Sequence, residues 1–600
     1  MIEQSQIEAA ITALEAQPPN LESPTLETTL TLLKRQLHQM KRAEIAQDAM
    51  KGERKQITIM FVDISGFTAM SEKLDPEEVR NLINACFEAL GAVINRYDGY
   101  IDKFIGDEIM ALFGAPIAHE NDPERALRAA LDMMEVLKAF NKQHADKIPK
   151  PLALHFGINS GLAIAGGIGT IARRDYSVMG DTVNLAARLE DLSETGEILV
   201  GEQTYRLTAP LFEFEPLSPV QVKGKEKPVQ VYRLIRAATT RSQIRGIEGL
   251  SSYLVGRSSE FETLCSALAK LQEGQGRVIS VVGEAGLGKS RLVQEARQNC
   301  QDSNLVWVEG QALSYGQDAG YLVARAVLCN LLGVSDEDSD DEIDAALKAE
   351  IHGCFPTRSA EVYPYLAYLL NVPLDEEAVQ RVKYLTGEAI YQRIFQSVQD
   401  YLMIKASQKP LVLVWDDLHW VDPSSLKLLV ALLPITETHP ILFLLIYRTR
   451  RESRIWNFHQ QVSQSDTSMQ TVYYSLEIQP LRPEESHQLL TNLMGSSKQT
   501  QKLRELIVRK AEGNPFFIEE VIRSLIDNGA LVRSTDETQS FVTTDASQEI
   551  RIPDTLQGVI MSRIDQLGPE TKRILQVASI IGRTFPHYVL ADTLKQLNYG

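Results

Sequence analysis

The chain has 600 residues, of which 44% are apolar and 23% charged, and its formal net charge is −18. This length predicts several domains, and the acidic balance argues against a general nucleic-acid or anionic-membrane surface. The 5 cysteines form no C-x-x-C pair, which excludes a zinc ribbon and fits a reducing compartment. The N-terminus lacks the apolar core of a secretory signal, and runs such as ILFLLIY are far shorter than the about 20 residues of a membrane helix. We therefore expect a cytoplasmic protein that binds neither nucleic acid nor a membrane.

Residues 1–50 have a helical pattern. Their apolar side chains recur with heptad spacing at Leu26, Leu30, Leu33, Leu37 and Met40. Two interpretations stay open, because so short a seam does not separate them: a helix packed on its own domain, or a parallel coiled coil that pairs two chains.

Residues 51–236 alternate strands and helices in a recognisable order. A buried strand at 57–63 is followed by a helix with Asp75 as N-cap, Pro76 in the first turn and Glu78 in a capping-box-like position. A hairpin with its tip near Gly106-Asp107, a second helix and a further strand follow. The order predicts an α+β, ferredoxin-like βαββαβ domain.

The remaining chain predicts a second kind of architecture. Residues 237–252 are polar and indicate a linker, and 253–450 alternate strands and helices as an α/β nucleotide-binding domain does. Residues 451–600 predict a mainly helical region, a lid or winged-helix-like part. Because the sequence stops inside a helical pattern, we expect it to be the front of a longer protein.

Two aspartates in the first of these domains lie next to apolar segments that are predicted to form strands. Asp63 ends the strand at 57–63, and Asp107 lies at the hairpin tip. Converging carboxylates repel each other unless a divalent cation lies between them, so this pair predicts a metal site suited to phosphoryl chemistry. Farther on, Asp181 is expected to cap a helix that carries Asn184 and Arg188 on one face, four residues apart.

Four stretches, FVDISGFT, DKFIGDEIM, GDTVNLAARLE and VKGK, together resemble a class III nucleotidyl cyclase domain over about 50–236. The resemblance implies a head-to-tail homodimer with sites at the interface. The implied reaction is attack of the ribose 3′-hydroxyl on the α-phosphate, with pyrophosphate as the leaving group. Two Mg²⁺ or Mn²⁺ ions per site are implied, and the implied metal-site residues are Asp63, Ile64 and Asp107. Asn184 would orient the ribose and Arg188 would stabilise the α-phosphate, both from the other protomer. The implied triphosphate contacts are Phe67, Thr68 and Lys223.

The choice of base rests on two residues. Lys103 matches the lysine that selects adenine in this family, whereas its partner, usually aspartate or threonine, is Ser177 here. Guanylate cyclases tend to carry glutamate and cysteine at these places, and this chain carries neither. We therefore expect ATP as substrate, with a guanylate cyclase as the alternative.

A second constellation predicts a phosphate-binding loop at 277–293. The pattern Gly283-x4-Gly288-Lys289-Ser290, with Gly286 inside it, follows an apolar strand and opens a helix, as a P-loop requires. Downstream candidates for binding Mg-ATP are Asp416 and Asp417 after another apolar strand, and Arg448 as a γ-phosphate sensor. These segments, with EGNPFFIEE, resemble AAA-like ATPase modules of the STAND class. His419 and Trp420, next to the aspartates, are expected to pack rather than to catalyse.

Together these expectations describe an adenylate cyclase regulated by a C-terminal ATP-binding switch. Two alternatives stay open. The chain could be an ATP-driven signalling scaffold whose cyclase-like domain only dimerises. It could also be a diguanylate cyclase, whose fold carries a hairpin Gly-Asp-Glu but has no need of Asn184 and Arg188 at helical spacing.

Overall fold

The computed structural model describes most of the chain beyond residue 51. The described residues are 52–66, 75–148, 150–170, 173–222, 228–238, 253–300, 304–314, 320–335, 338–385, 387–450, 453–464, 472–495, 500–527, 530–533, 541–543, 560, 561, 564, 567, 569–581 and 587–596. The heptad pattern of 1–50 and most of the predicted linker lie outside them. The described chain forms two compact units, a first around the strands between 53 and 237 and a second around the strands between 277 and 477.

The first unit is an α+β fold built on one sheet. Its strands are β1 (Glu53–Ser65), β2 (Tyr100–Ile105), β3 (Glu108–Phe113), β4 (Ala153–Thr170), β5 (Arg173–Met179), β6 (Ile198–Gly201), β7 (Phe212–Pro216) and β8 (Val231–Ala237). Its helices are α1 (Pro76–Arg96), α2 (Asp122–Gln143), α3 (Asp181–Leu192) and α4 (Glu202–Thr208).

The sheet of the first unit has the order β2-β3-β1-β4-β6-β8-β7, and β5 pairs with β4 outside that path. Strand β1 is antiparallel to both β3 and β4, and β2 and β3 form the expected hairpin around Gly106-Asp107. The segment β4-β1-β3-β2, with α1 and α2 as its crossovers, confirms the predicted ferredoxin-like core. Asp75 caps α1 by accepting a hydrogen bond from the backbone N–H of Glu77, also as expected.

Helix α3 lies directly on one face of β1 and β4. Ile57, Ile59 and Phe61 of β1 pack in the same buried cluster as Ala186 of α3, so alternate residues of β1 face that helix. A Cβ atom at Gly157 of β4 would lie 2.1 Å from the carbonyl oxygen of Ala186, and only a glycine permits this approach. The close packing fixes α3 against β4, the strand that pairs with β1.

The second unit is an α/β fold with a parallel sheet. Its strands β9 (Arg277–Val282), β10 (Val306–Gln311), β11 (Leu411–Asp416), β12 (Ile441–Tyr447) and β13 (Tyr473–Glu477) are arranged β10-β11-β12-β9-β13, all parallel. The helices around it are α5 (Ser258–Gln272), α6 (Lys289–Asn299), α7 (Leu322–Leu332), α8 (Asp340–Cys354), α9 (Ser359–Leu369), α10 (Glu376–Val382), α11 (Gly387–Gln408), α12 (Pro423–Leu432) and α13 (Arg454–Gln464). The near-continuous burial of β11 and β12 reflects helices on both faces.

The part of the chain after β13 is mainly helical where it is described. It comprises α14 (Pro483–Met494), α15 (Gln501–Ala511), α16 (Pro515–Asp527), the short pair β14 (Leu531–Arg533) and β15 (Phe541–Thr543), α17 (Pro569–Ile581) and α18 (His587–Gln596). The helical character agrees with the expectation from the sequence, while the winged-helix assignment and the proposed domain limits stay predictions. Among the described helices, none combines the length and apolarity that crossing a bilayer demands.

Candidate active site

Asp63 lies at the end of β1, on the face covered by α3. It follows Ile57, Ile59 and Phe61 in the alternating series, and its register partners are Glu108 on β3 and His155 on β4. Strand pairing therefore gathers carboxylate and imidazole groups at one end of the sheet, where the core gives way to a half-buried surface.

A hydrogen-bonded chain joins Asp63 to the end of α3. Nε2 of His155 lies 3.0 Å from Oδ2 of Asp63, and its Nδ1 lies within hydrogen-bond distance of Oγ of Ser193, at 3.0 Å, and of the carbonyl oxygen of Glu190, at 3.3 Å. The carboxylate oxygen Oε1 of Glu190 is 3.4 Å from the same Nδ1. One ligand atom from each of Asp63, His155 and Glu190 lies within 4.8 Å of the others. The sequence analysis did not identify His155 or Glu190, although the β1–β4 register would have placed His155 opposite Asp63.

Burial and neighbouring charges shift the pKa values of these groups. Burial, more than the neighbouring carboxylates, raises the pKa of Glu190 to about 7. Burial together with Asp63, Asp191 and Asp107 raises the pKa of Glu108. The hydrogen bond to Asp63 raises the pKa of His155, so a positive charge is favoured beside that carboxylate.

The other predicted metal-site residues flank Asp63. Asp107 occupies the β2–β3 turn, is half-buried, and its charge acts on the neighbouring Glu108. Ile64 is 1% exposed, so its side chain belongs to the core and only its backbone is a candidate ligand. Carboxylate and carbonyl oxygens are the donors that Mg²⁺ and Mn²⁺ prefer, so the groups at this strand end fit such ions.

Helix α3 carries the two predicted catalytic residues. Asn184 is exposed and Arg188 is half-buried, one turn apart on the helix. The expected cap is wrong: Gly180, with a φ of 148°, occupies the N-cap, and Asp181 is the first helical residue. The glycine permits the tight turn of the backbone between β5 and α3. The preference for aspartate at N-caps does not predict such a backbone requirement.

The two base-selecting candidates are in contact. Nζ of Lys103 on β2 donates to Oγ of Ser177 on β5 over 3.2 Å, although the residues are distant in sequence. Both also contact Asp102, which the sequence analysis did not single out: Ser177 donates to its Oδ2 over 2.8 Å, and Lys103 lies 3.1 Å from the same atom. The predicted phosphate contacts Phe67, Thr68 and Lys223 lie outside the described residues.

The second unit holds the predicted phosphate-binding loop between β9 and α6. Gly288 adopts a φ of 91° as the N-cap of α6, and Gly286 is also left-handed, with a φ of 81°. Nζ of Lys289 donates over 2.9 Å to the carbonyl oxygens of Gly283 and Glu284. The lysine thus lies within its own loop, and burial lowers its pKa.

The remaining ATP-site candidates converge on that loop. Oγ of Ser290 donates to Oδ2 of Asp416 over 3.2 Å, which brings together the hydroxyl and the carboxylate expected to hold magnesium. Asp417 accepts a hydrogen bond from Gln311 over 2.6 Å. Arg448 follows β12, and its charge contributes to the lowered pKa of Lys289, so the two cations are close.

Family models match both parts of the chain that hold these candidate sites. Residues 50–236 match the model described as the adenylate and guanylate cyclase catalytic domain, and 253–445 match the AAA ATPase domain. A domain of unknown function matches 482–537. The chain therefore carries a catalytic domain of the adenylate and guanylate cyclase family followed by an AAA ATPase domain, which confirms the family resemblance and the fold class.

Individual relatives match mainly the first unit. Adenylate cyclase 1 of Rhizobium meliloti (strain 1021) is 35% identical over 30% of this chain and 28% of its own length. The adenylate cyclase of Anabaena cylindrica is 34% identical over 30% of this chain and 37% of its own. An uncharacterized protein of R. meliloti is 22% identical over 88% of this chain and 49% of its own. The chain thus spans at most about half of these relatives.

Among solved structures, the adenylyl cyclase CyaB from P. aeruginosa is 37% identical to this chain. The match covers 31% of this chain and 97% of that one, with a TM-score of 0.31.

Proposed function

We propose that the first unit is an adenylate cyclase that converts ATP to 3′,5′-cyclic AMP and pyrophosphate at a homodimer interface. The observation that carries the proposal is a shared face of one sheet. The carboxylate of Asp63 and the helix that presents Asn184 and Arg188 lie on that face, so a head-to-tail dimer would supply each site with the carboxylate of one protomer and the helix of the other. Relatives named adenylate cyclase support the choice of ATP.

The residues would divide the work between two protomers. Asp63, Asp107 and the backbone of Ile64 would hold two Mg²⁺ or Mn²⁺ ions, which when bound acidify the attacking hydroxyl and neutralise the triphosphate. Phe67, Thr68 and Lys223 would contact the triphosphate. From the partner, Asn184 would orient the ribose and Arg188 would stabilise the charge on the α-phosphate. Because the nucleophile belongs to the substrate, positioning and charge are the protein's main contributions.

An exposed apolar face on the β4–β5 ribbon supports dimerisation. Leu162, Ile164 and Met179 are 46%, 48% and 49% exposed, and Ile164 and Met179 are direct cross-strand partners. Large apolar side chains clustered at a strand edge are typical of a protein contact. We assign this face to the dimer, and the second unit to nucleotide-dependent control of the cyclase.

The test is a product assay on the purified chain with Mn²⁺ and either ATP or GTP. We expect cyclic AMP, and a loss of kcat of about 100-fold or more in Arg188→Ala, as for the removal of a transition-state donor. Arg206→Ala, on the exposed surface of α4, is the control. A cyclic dinucleotide made from GTP at an undiminished rate by Arg188→Ala would favour a diguanylate cyclase, and cyclic GMP alone a guanylate cyclase.

A mixing experiment distinguishes the proposed enzyme from the alternative of a signalling scaffold. Asp63→Asn and Arg188→Ala should each be inactive, yet their mixture should recover up to about a quarter of the wild-type rate. Half of the dimers would then be mixed, and each mixed dimer has one intact site. A dimeric wild-type sample that makes no product would instead support the scaffold.

A further inference from the structure

The sheet edge near the predicted base-selecting residues contains a buried carboxylate. Asp102 lies on β2, and its side chain is 1% exposed. Its Oδ2 accepts a hydrogen bond from Ser177 over 2.8 Å and lies 3.1 Å from Nζ of Lys103, whose side chain is 48% exposed. Lys103 also donates to Ser177 over 3.2 Å, so the three polar atoms form a closed triangle.

The triangle determines where the hydrogens point. A carboxylate only accepts, so the single hydrogen of the Ser177 hydroxyl is committed to Asp102. The ammonium of Lys103 has three N–H groups, of which one points to Asp102 and one to Ser177. What this arrangement offers to a ligand is the third N–H of Lys103 as a donor, beside a lone pair of Ser177 as an acceptor.

We propose that Asp102 is a positioning residue that sets base preference by fixing this donor–acceptor order. The inference rests on the proposed cyclase function and deepens it. Adenine presents an acceptor, N1, next to a donor, its 6-amino group, and so complements the pair. Guanine presents the reverse order, O6 as acceptor and N1–H as donor, so in the same ring orientation its N1–H would face the N–H of Lys103 and its O6 the lone pair of Ser177.

The contacts also explain how a serine can occupy the position where aspartate or threonine is usual. Ser177 is too short and uncharged to fix the lysine alone, but it bonds to a carboxylate that the neighbouring strand supplies. Because Asp102 is almost wholly buried, it acts through Lys103 and Ser177 rather than by touching the nucleotide.

The decisive variant is Asp102→Ala. Alanine removes the acceptor, which releases the hydroxyl hydrogen of Ser177 toward the base and makes Ser177 a donor suited to O6 of guanine. We expect the ratio of kcat/KM for ATP to that for GTP to fall roughly tenfold to a hundredfold, the discrimination of one good paired contact to a base. Asp132→Ala, which removes a carboxylate that accepts from Arg96 and Tyr97, is the control and should keep the wild-type ratio.

A binding measurement keeps the inference independent of catalysis. Calorimetric titration uses 3′-deoxy-ATP and 3′-deoxy-GTP, which lack the attacking hydroxyl, and chains that also carry Lys289→Ala, so that the second unit does not take up the nucleotide. It should give the same shift in affinity ratio for Asp102→Ala. Ser177→Thr, which retains the hydroxyl, should preserve the adenine preference, whereas Ser177→Ala should lose it.

The outcomes distinguish the two claims. A wild-type protein that makes no cyclic nucleotide, yet shows the shift in binding, overturns the proposed function and supports the role of Asp102. A wild-type protein that makes cyclic AMP, with an Asp102→Ala ratio within about twofold of the parent, overturns the role of Asp102 alone.

Discussion

At the scale of single residues, His419 is a buried group whose protonation should matter for stability. Its side chain is 0% exposed, and neither ring nitrogen has a hydrogen-bond partner among the residues that the structure describes. Burial, reinforced by Arg448, Arg450 and Lys289, lowers the pKa of His419 to about 3. The imidazole is therefore neutral in the folded second unit, in agreement with the expected packing role.

This lowered pKa predicts acid sensitivity of the second unit. The folded state resists protonation while the unfolded state binds a proton near pH 6.5, so stability is complete above that pH and falls as the pH drops toward 3. Between pH 7 and pH 5 the loss attributable to His419 is about 2 kcal/mol. His419→Phe should remove this part of the loss, whatever its effect at pH 7.

The measurement is urea unfolding followed by tryptophan fluorescence at both pH values. All 4 tryptophans, at 307, 415, 420 and 456, belong to the second unit, so the signal reports that unit. His487→Gln, at an exposed position on α14, is the matched control and should keep the wild-type pH dependence. An unchanged pH dependence in His419→Phe would contradict the argument.

At the scale of elements, the β4–β5 ribbon should decide assembly. Ile164→Glu places a charge in the exposed apolar face shared with Leu162 and Met179, and burying that charge in a dimer contact is costly. We expect dissociation to monomers, with cyclase activity falling in parallel at micromolar protein concentration. Sedimentation velocity gives the mass, and far-ultraviolet circular dichroism verifies the fold.

The control for that variant is Ile235→Glu. Ile235 lies on β8 of the same unit and is 49% exposed, so the chemical change and the starting exposure are matched. A dimeric Ile164→Glu, or an equal effect of both variants, would argue against the β4–β5 face as the contact.

Local pattern was enough to predict the elements around the site, and long-range pairing accounts for most of what it missed. The β2–β3 hairpin and the cap at Asp75 follow from turn and capping chemistry within a few residues. His155 and Asp102 gain their significance only from register and from the meeting of β2 with β5. The two-residue period of a strand predicts which side chains share a face of the sheet, but it does not predict which strands lie beside it.

At the scale of the whole molecule, the phosphate-binding loop of the second unit is joined to the helical region after β13. Nδ2 of Asn514 donates to the carbonyl oxygen of Ala285 over 3.1 Å, and the backbone N–H of Phe516 donates to the carbonyl oxygen of Gly286 over 3.3 Å. These residues belong to the EGNPFFIEE segment at 512–520. A nucleotide that draws Lys289 from its loop carbonyls would therefore disturb contacts with α16.

The proposed control of the cyclase by the second unit can be tested at this loop. Lys289→Ala should lose nucleotide binding in the second unit, because the ammonium that meets the β- and γ-phosphates is gone. If the second unit acts as a switch, the cyclase rate at saturating ATP should change at least threefold, on the order of 1 kcal/mol of coupling. Cyclic AMP production gives the rate, and tryptophan fluorescence on addition of ADP monitors the second unit separately.

Lys409→Ala is the control because it removes the same charge from an exposed position between α11 and β11. It should retain both the fluorescence response and the cyclase rate. The informative contradiction is a Lys289→Ala protein with no fluorescence response to ADP but a wild-type cyclase rate and an unchanged dependence on ATP. Since coupling requires that a ligand favour one state of the switch over another, that result would mean that nucleotide binding in the second unit does not act on the first.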